Sequence, residues 1–93
     1  MADQGPYALR VSGPAKRALA ARLPEGVAAA VVEFITGDLL VSPHRVGKQL
    51  RGELTGQWSA RRGTYRVIYS INEEHRTVTV LVIEHRRDVY RPH

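Results

Sequence analysis

Two segments near the end of this chain combine the residue pattern of β-strands with many arginines. The first runs from Ser59 to Ile71 and the second from Thr77 to Arg91. The side chains in them that could do chemistry are Arg61, Arg62, Arg66, His85, Arg86, Arg87 and Tyr90. A guanidinium is planar, permanently charged and able to grip a phosphate through two hydrogen bonds. A cluster of such groups on a rigid sheet suits binding a phosphodiester, and a nearby tyrosine and histidine suit cutting it.

The alternation of side chains along a strand sorts these arginines between two faces. On the strand that follows Gly63, the residues expected to face the core are Tyr65, Val67, Tyr69 and Ile71. Arg66 therefore lies on the opposite face. Trp58 is the expected core anchor of the preceding strand, which turns Arg61 outward as well. Most single surface arginines are only solvated. An arginine between apolar neighbours in the middle of a strand usually has a functional role, so Arg66 is the first candidate for binding a phosphate.

The other two candidate groups lie at the end of the second segment. His85 is a candidate general acid or base because histidine exchanges protons near neutral pH, although a lone histidine is more often a surface or capping residue. Tyr90 can act as a base only where cations stabilise its phenolate. It could equally stack on a nucleobase, which is worth ~1–3 kcal/mol, or anchor the end of the chain.

Composition limits the class of protein. The 93 residues predict one small domain, 1–93, with a net charge of +5 and a pI of about 10.2. Positions 47–93 carry nine Lys and Arg against five Asp and Glu, whereas positions 1–46 carry five against four. The basic excess thus lies in the part expected to form the sheet, and it favours an anionic partner such as nucleic acid, a membrane surface or an acidic protein.

Several classes of chemistry are not expected. The chain has no cysteine, which excludes disulfides and thiolate catalysis. His44, His75 and His93 lack partners at metal-ligand spacing, so neither a metal nor a cofactor is expected. There is no apolar run near the ~20 residues that span a bilayer and no signal-peptide core at the N-terminus. We therefore expect a soluble, cytoplasmic protein.

The periodicity of the sequence predicts an α+β fold of order β-α-α-β-β-β. The predicted elements are a strand at 7–11, a helix at 15–23 with Ser12 as N-cap, a helix from Pro24 towards Leu40, and strands at 57–62, 64–71 and 77–84. The stretch 48–55 is expected to be irregular. The last three strands should form an antiparallel meander, and the helical hairpin should cover one face of the sheet and leave the other open for a ligand.

Taken together, the motifs resemble one family. The strings Lys48–Gly52, Gly56–Arg62, Tyr65–Tyr69 and His85–Tyr90 resemble the RelE/ParE toxin superfamily, and within it the RelE branch of toxins from bacterial type II toxin–antitoxin modules. The resemblance covers nearly the whole chain, including the order of the elements. It implies a RelE-like fold, similar to that of microbial ribonucleases.

The resemblance also implies a function. RelE-type toxins are ribosome-dependent endoribonucleases that cut mRNA in the A site without a metal. The substrate's own 2′-hydroxyl attacks the adjacent phosphate, leaving a 2′,3′-cyclic phosphate and a 5′-hydroxyl. Carried over by position, Arg61 and Arg66 would steady the phosphate, and Arg86 would protonate or stabilise the leaving oxygen. Tyr90 would be the base or stack on mRNA, and His85 is a second candidate acid.

The remaining basic residues are expected to contact RNA or the ribosome. These are Lys48, Arg51, Arg62 and Arg87. The implied partners are a cognate, acidic, RelB-like antitoxin, the 70S ribosome and mRNA, with operator DNA bound through the antitoxin. Two alternatives stay open: a ParE-like toxin that inhibits DNA gyrase, and a non-catalytic module that binds RNA or the ribosome.

The sequence departs from the family pattern at two points. Some relatives carry lysines on the first strand of the meander, where this chain has Ser59 and Arg61. Other relatives place a glutamate base before that strand; Lys48 stands near that position here, and Glu53 is a weak substitute. The identity of the general base is therefore left open.

Overall fold

The structure, a computed structural model, describes residues 5–86. A first strand, β1 (Ala8–Val11), leads into helix α1 (Gly13–Arg17), which continues as a π-helical turn at Ala18–Arg22. The Ser12 hydroxyl accepts a hydrogen bond from the Ala15 amide at 3.1 Å, and Pro14 lies in the first turn. Ser12 is therefore the N-cap that the sequence predicts, because its oxygen satisfies an amide that has no partner within the helix.

The second helical region is divided at a glycine. Helix α2 spans Glu25–Thr36 and begins after Pro24, and α3 spans Asp38–Val41. Gly37 lies between them with φ −122° and ψ −100°, outside the helical region of backbone conformations. The predicted apolar stripe is confirmed, since Val31, Phe34 and Ile35 are buried and Val27 packs beside them.

The rest of the chain forms strands. They are β2 (Lys48–Gln49), β3 (Gln57–Arg62), β4 (Tyr65–Asn72) and β5 (Thr77–His85), with a 3₁₀ turn at Gly52–Leu54. The sheet order is β1-β5-β4-β3-β2, in which β1 pairs with β5 in parallel and the other pairs are antiparallel. The predicted meander is confirmed. Strand β2 was not predicted, because two exposed residues carry no detectable alternation.

One face of the sheet packs against the helices. Its buried residues are Ala60, Tyr65, Val67, Tyr69, Val78, Val80 and Ile83, which join the helical residues in one hydrophobic cluster. Tyr69 is fully buried and donates a hydrogen bond of 2.6 Å to the Pro43 carbonyl, and burial raises its pKa to about 12. The prediction that Tyr65, Val67 and Tyr69 of β4 face the core is confirmed, because all three are buried.

A β-bulge changes which residues of β5 face the core. Ile68 pairs with Val82 and Tyr69 pairs with Val80, so Leu81 has no partner on β4. Before the bulge Val78 and Val80 are buried; after it the buried residues are Ile83 and His85. One extra residue in a strand that otherwise alternates strictly transfers every later side chain to the other face.

No helix within residues 5–86 is long and apolar enough to cross a membrane.

Candidate functional site

The face of the sheet away from the helices carries a row of charged side chains across three strands. Arg61 of β3 is paired in register with Arg66 of β4, and Arg66 is paired with Glu84 of β5. Residues directly opposite each other in antiparallel strands have β-carbons ~4.5–5.5 Å apart. The two guanidiniums and the carboxylate are therefore neighbours on one rigid surface.

This row borders a cavity of about 280 Å³. The residues that line it are Arg61, Gly63, Thr64, Tyr65, Arg66, Glu84 and Arg86. Arg86 reaches this place because its amide donates a hydrogen bond of 2.6 Å to the Thr64 carbonyl. The volume suits a nucleotide-sized group, since ligand pockets start near ~300 Å³.

Arg66 and Glu84 form an ion pair within the cavity. Arg66 donates to Glu84 Oε1 from Nε at 3.0 Å and from Nη2 at 2.8 Å. The two side chains remain 42% and 39% exposed, so a ligand can reach both. Glu84 is not among the site residues predicted from the sequence. A carboxylate inside an apolar strand indicates a functional residue. Because the bulge was not predicted, alternation along β5 could not show on which face of the sheet Glu84 lies.

The structure brings together three of the predicted catalytic residues, Arg61, Arg66 and Arg86. It places His85 elsewhere: His85 is 9% exposed and pairs in register with Tyr65, whose side chain is on the core side. Arg87 and Tyr90 lie outside the described residues. The roles assigned to all these side chains stay predictions.

The predicted RNA-contacting residues are spread over other surfaces. Lys48 and Arg51 line a second cavity of about 670 Å³ beside Trp58. Arg62 lies on the helical side, where its guanidinium carbon is 4.7 Å from the centre of the Phe34 ring. Among residues 5–86, no three His, Asp or Glu side chains are grouped as metal ligands.

Comparisons with known proteins show the family of this chain. The family described as ParE toxin of type II toxin–antitoxin system, parDE, matches residues 9–90. Toxin RelG of Mycobacterium tuberculosis is 55% identical over 86 residues, covering 92% of this chain and 98% of its own. Toxin RelE of the same organism is 50% identical over 91 residues, covering 98% and 93%.

A solved structure is similar as well. It is the toxin–antitoxin complex RelBE2 of Mycobacterium tuberculosis, one chain of which superposes with a TM-score of 0.85 at 54% identity. The match covers 88% of this chain and 100% of that one. The predicted fold class is thereby confirmed, and the resemblance read from the motifs extends to the whole domain. The chain belongs to the RelE/ParE superfamily of toxins from type II toxin–antitoxin systems.

Proposed function

We propose that this toxin is a metal-independent endoribonuclease that cuts mRNA in the ribosomal A site and so inhibits translation. The observation that carries the proposal is that Arg61, Arg66 and Arg86 line one open cavity. Three permanently charged guanidiniums can bind the scissile phosphate and stabilise the charge that builds on its oxygens in the transition state. Dependence on the ribosome is argued from similarity to toxins named RelG and RelE.

In the proposed reaction the ribose 2′-hydroxyl attacks the neighbouring phosphate and the 5′-oxygen leaves. Arg61 and Arg66 hold the phosphate through their outward guanidiniums, and Arg86 stabilises the leaving oxygen. Tyr90 is kept as a residue that stacks on mRNA or takes part in proton transfer, and Lys48, Arg51, Arg62 and Arg87 are kept as contacts to RNA. His85 is the least favoured candidate because it lies on the core side of the sheet.

The proposal is tested by primer extension on translating ribosomes. The wild type should produce cuts at A-site codons, and Arg66→Ala should lower the cleavage rate ~100- to 1000-fold, as loss of one transition-state donor does in other enzymes. Arg86→Ala should act in the same direction. Arg22→Ala is the matched control, because Arg22 is an exposed arginine of the π-helical turn and should leave cleavage unchanged.

A supercoiling assay covers the alternative raised by the ParE family match. Inhibition of DNA gyrase by the wild type, together with intact mRNA on translating ribosomes, would contradict the proposed ribonuclease. If Arg66→Ala cuts at the same rate as the wild type, the arginines of the cavity do not have the proposed role.

We also propose that a cognate acidic antitoxin of the RelB type binds this chain and that the pair binds operator DNA through the antitoxin. The similar RelBE2 structure is itself a toxin–antitoxin complex, and the net charge of +5 suits an acidic partner.

A further inference from the structure

The carboxylate of Glu84 lies among the cations of the cavity on the open face. Arg66 faces it across the β4–β5 pair, while Arg61 and Arg86 line the same cavity. Helix α1 packs against β5 and carries Lys16 and Arg17 in its last turn, but neither side chain lines the cavity. A carboxylate at the centre of a site for an anionic substrate opposes binding of that substrate, so its presence there calls for a role in the reaction.

The contacts of the Arg66–Glu84 pair leave one group of each partner available. Both hydrogen bonds from Arg66 end on Oε1 of Glu84, and they come from Nε and Nη2. Neither of these two contacts uses Oε2 of Glu84 or Nη1 of Arg66. The pair thus presents a donor for a phosphate oxygen beside an acceptor for a hydroxyl proton.

Other groups that line the cavity do not suit proton uptake. The arginines stay charged at any working pH. The Tyr65 hydroxyl is directed to the helical side, where it donates to the Ala30 carbonyl at 3.4 Å, and burial raises its pKa. His85 follows Glu84 in the strand and therefore faces the core side. Among the described residues of the cavity, Glu84 is the carboxylate that can serve as a proton acceptor.

We propose that Glu84 is the general base of the cleavage reaction, which rests on the ribonuclease function proposed above. Oε2 takes the proton of the 2′-hydroxyl as the 2′-oxygen forms its bond to phosphorus. The bond from phosphorus to the 5′-oxygen breaks, and its electron pair leaves with that oxygen, which takes a proton from water beside Arg86. The products are a 2′,3′-cyclic phosphate and a 5′-hydroxyl, and Glu84 returns its proton to solvent.

The test compares Glu84→Gln with the wild type in single-turnover cleavage on ribosomes programmed with a defined codon. Glutamine keeps a carbonyl oxygen for Arg66 but is not basic, so the rate should fall ~100-fold or more. The wild-type rate should fall at acid pH, and this acidic limb should vanish in Glu84→Gln. Glu74→Gln is the matched control, since Glu74 is an exposed glutamate in the β4–β5 turn and should behave as the wild type.

Binding is measured separately with an mRNA whose A-site codon lacks the 2′-hydroxyl and cannot be cut. Glu84→Gln should bind these ribosomes at least as tightly as the wild type does, because the variant lacks a carboxylate that opposes the anionic substrate, whereas Arg66→Ala should bind more weakly. Glu84→Asp keeps a carboxylate on a shorter side chain and should retain more activity than Glu84→Gln. Thermal unfolding of each variant checks that it is folded.

Three results would overturn this role. If Glu84→Gln cuts at the wild-type rate, Glu84 is not the general base. If Glu84→Gln retains cleavage but Glu84→Ala loses it, Glu84 only positions Arg66. An acidic limb that persists in Glu84→Gln assigns the base to another group. The proposed ribonuclease function stands in these three cases, because the wild type still cuts; it fails only if the wild type leaves ribosome-bound mRNA intact, and the role of Glu84 fails with it.

Discussion

Glu84 and His85 are consecutive in the chain but have opposite surroundings. Glu84 is paired with Arg66 on the open face, while His85 is 9% exposed on the helical side. Both are common proton-transfer residues, so residue type alone cannot choose between them. The direction of the side chain decides which of the two lines the cavity, and that residue is Glu84.

Gly47 is the residue that lets the loop after α3 approach the sheet. A β-carbon at this position would collide with the Tyr69 hydroxyl and lie 2.8 Å from the Ser59 carbonyl oxygen. That hydroxyl is itself held by the Pro43 carbonyl, and Ser59 is the partner of Lys48 in the β2–β3 ladder. The absence of a side chain at Gly47 therefore allows β2 to join the sheet.

We expect Gly47→Ala to destabilise the protein by ~1–3 kcal/mol, the usual cost of forcing atoms into a packed interior. For a domain of this size that lowers the melting temperature by ~4 °C or more. Gly26→Ala is the control: nothing lies within 4 Å of its β-carbon in α2, so it should be neutral or stabilising by up to ~1 kcal/mol. Equal melting temperatures for the two variants would contradict the close approach.

The bulge in β5 is the element that orients the site. A bulge leaves the extra residue without its ladder partner. Here Ser12 supplies one: its amide donates to the Val80 carbonyl at 2.9 Å, and its hydroxyl donates to the Leu81 carbonyl at 2.6 Å. The same hydroxyl accepts from the Ala15 amide. One side chain thus joins the start of α1 to the bulge that turns Glu84 towards Arg66.

Ser12→Ala should cost ~2 kcal/mol in unfolding free energy, because it removes an N-cap and leaves the Leu81 carbonyl without its hydrogen bond. Chemical denaturation measures this loss, and amide hydrogen exchange should quicken at Ala15 and around the bulge. Ser12→Thr keeps the hydroxyl and should recover most of the stability. A loss in Ser12→Thr as large as in Ser12→Ala would mean that the hydroxyl is not the stabilising group.

Charge is the property that acts over the whole molecule. The net charge of +5 favours anionic partners at long range, and such attraction weakens with salt. Ribosomal RNA and an acidic antitoxin are both anionic, so charge alone does not separate them. Inhibition of cleavage separates them, because an antitoxin must silence the toxin.

We expect tagged Arg66→Ala toxin, purified from its host, to retain a small acidic protein in a defined stoichiometry. Added to wild-type toxin, that protein should suppress cleavage on ribosomes by tenfold or more at equimolar amounts, and less so at high salt. An unrelated protein of equal negative charge is the control. Cleavage that persists at full occupancy of the captured protein would show that the protein is not the antitoxin.

The sequence by itself determined most of the elements and the outward direction of two arginines. Periodicity placed four of the strands, the N-cap at Ser12 and the apolar stripe of α2, because these depend on neighbours within a few residues. Alternation alone turned Arg61 and Arg66 to the open face, since β3 and β4 pair without irregularity between them.

Only the tertiary structure decided the rest. Whether Glu84 or His85 joins the arginines depends on the bulge at Leu81, whose carbonyl accepts a hydrogen bond from Ser12, 69 residues earlier in the chain. The short strand β2 exists because Gly47 allows close approach to β3. Such contacts join residues that are distant in sequence, so local patterns carry no trace of them. The outward positions of Arg61 and Arg66 could therefore be predicted from the sequence, whereas the position of Glu84 beside them is seen only in the tertiary structure.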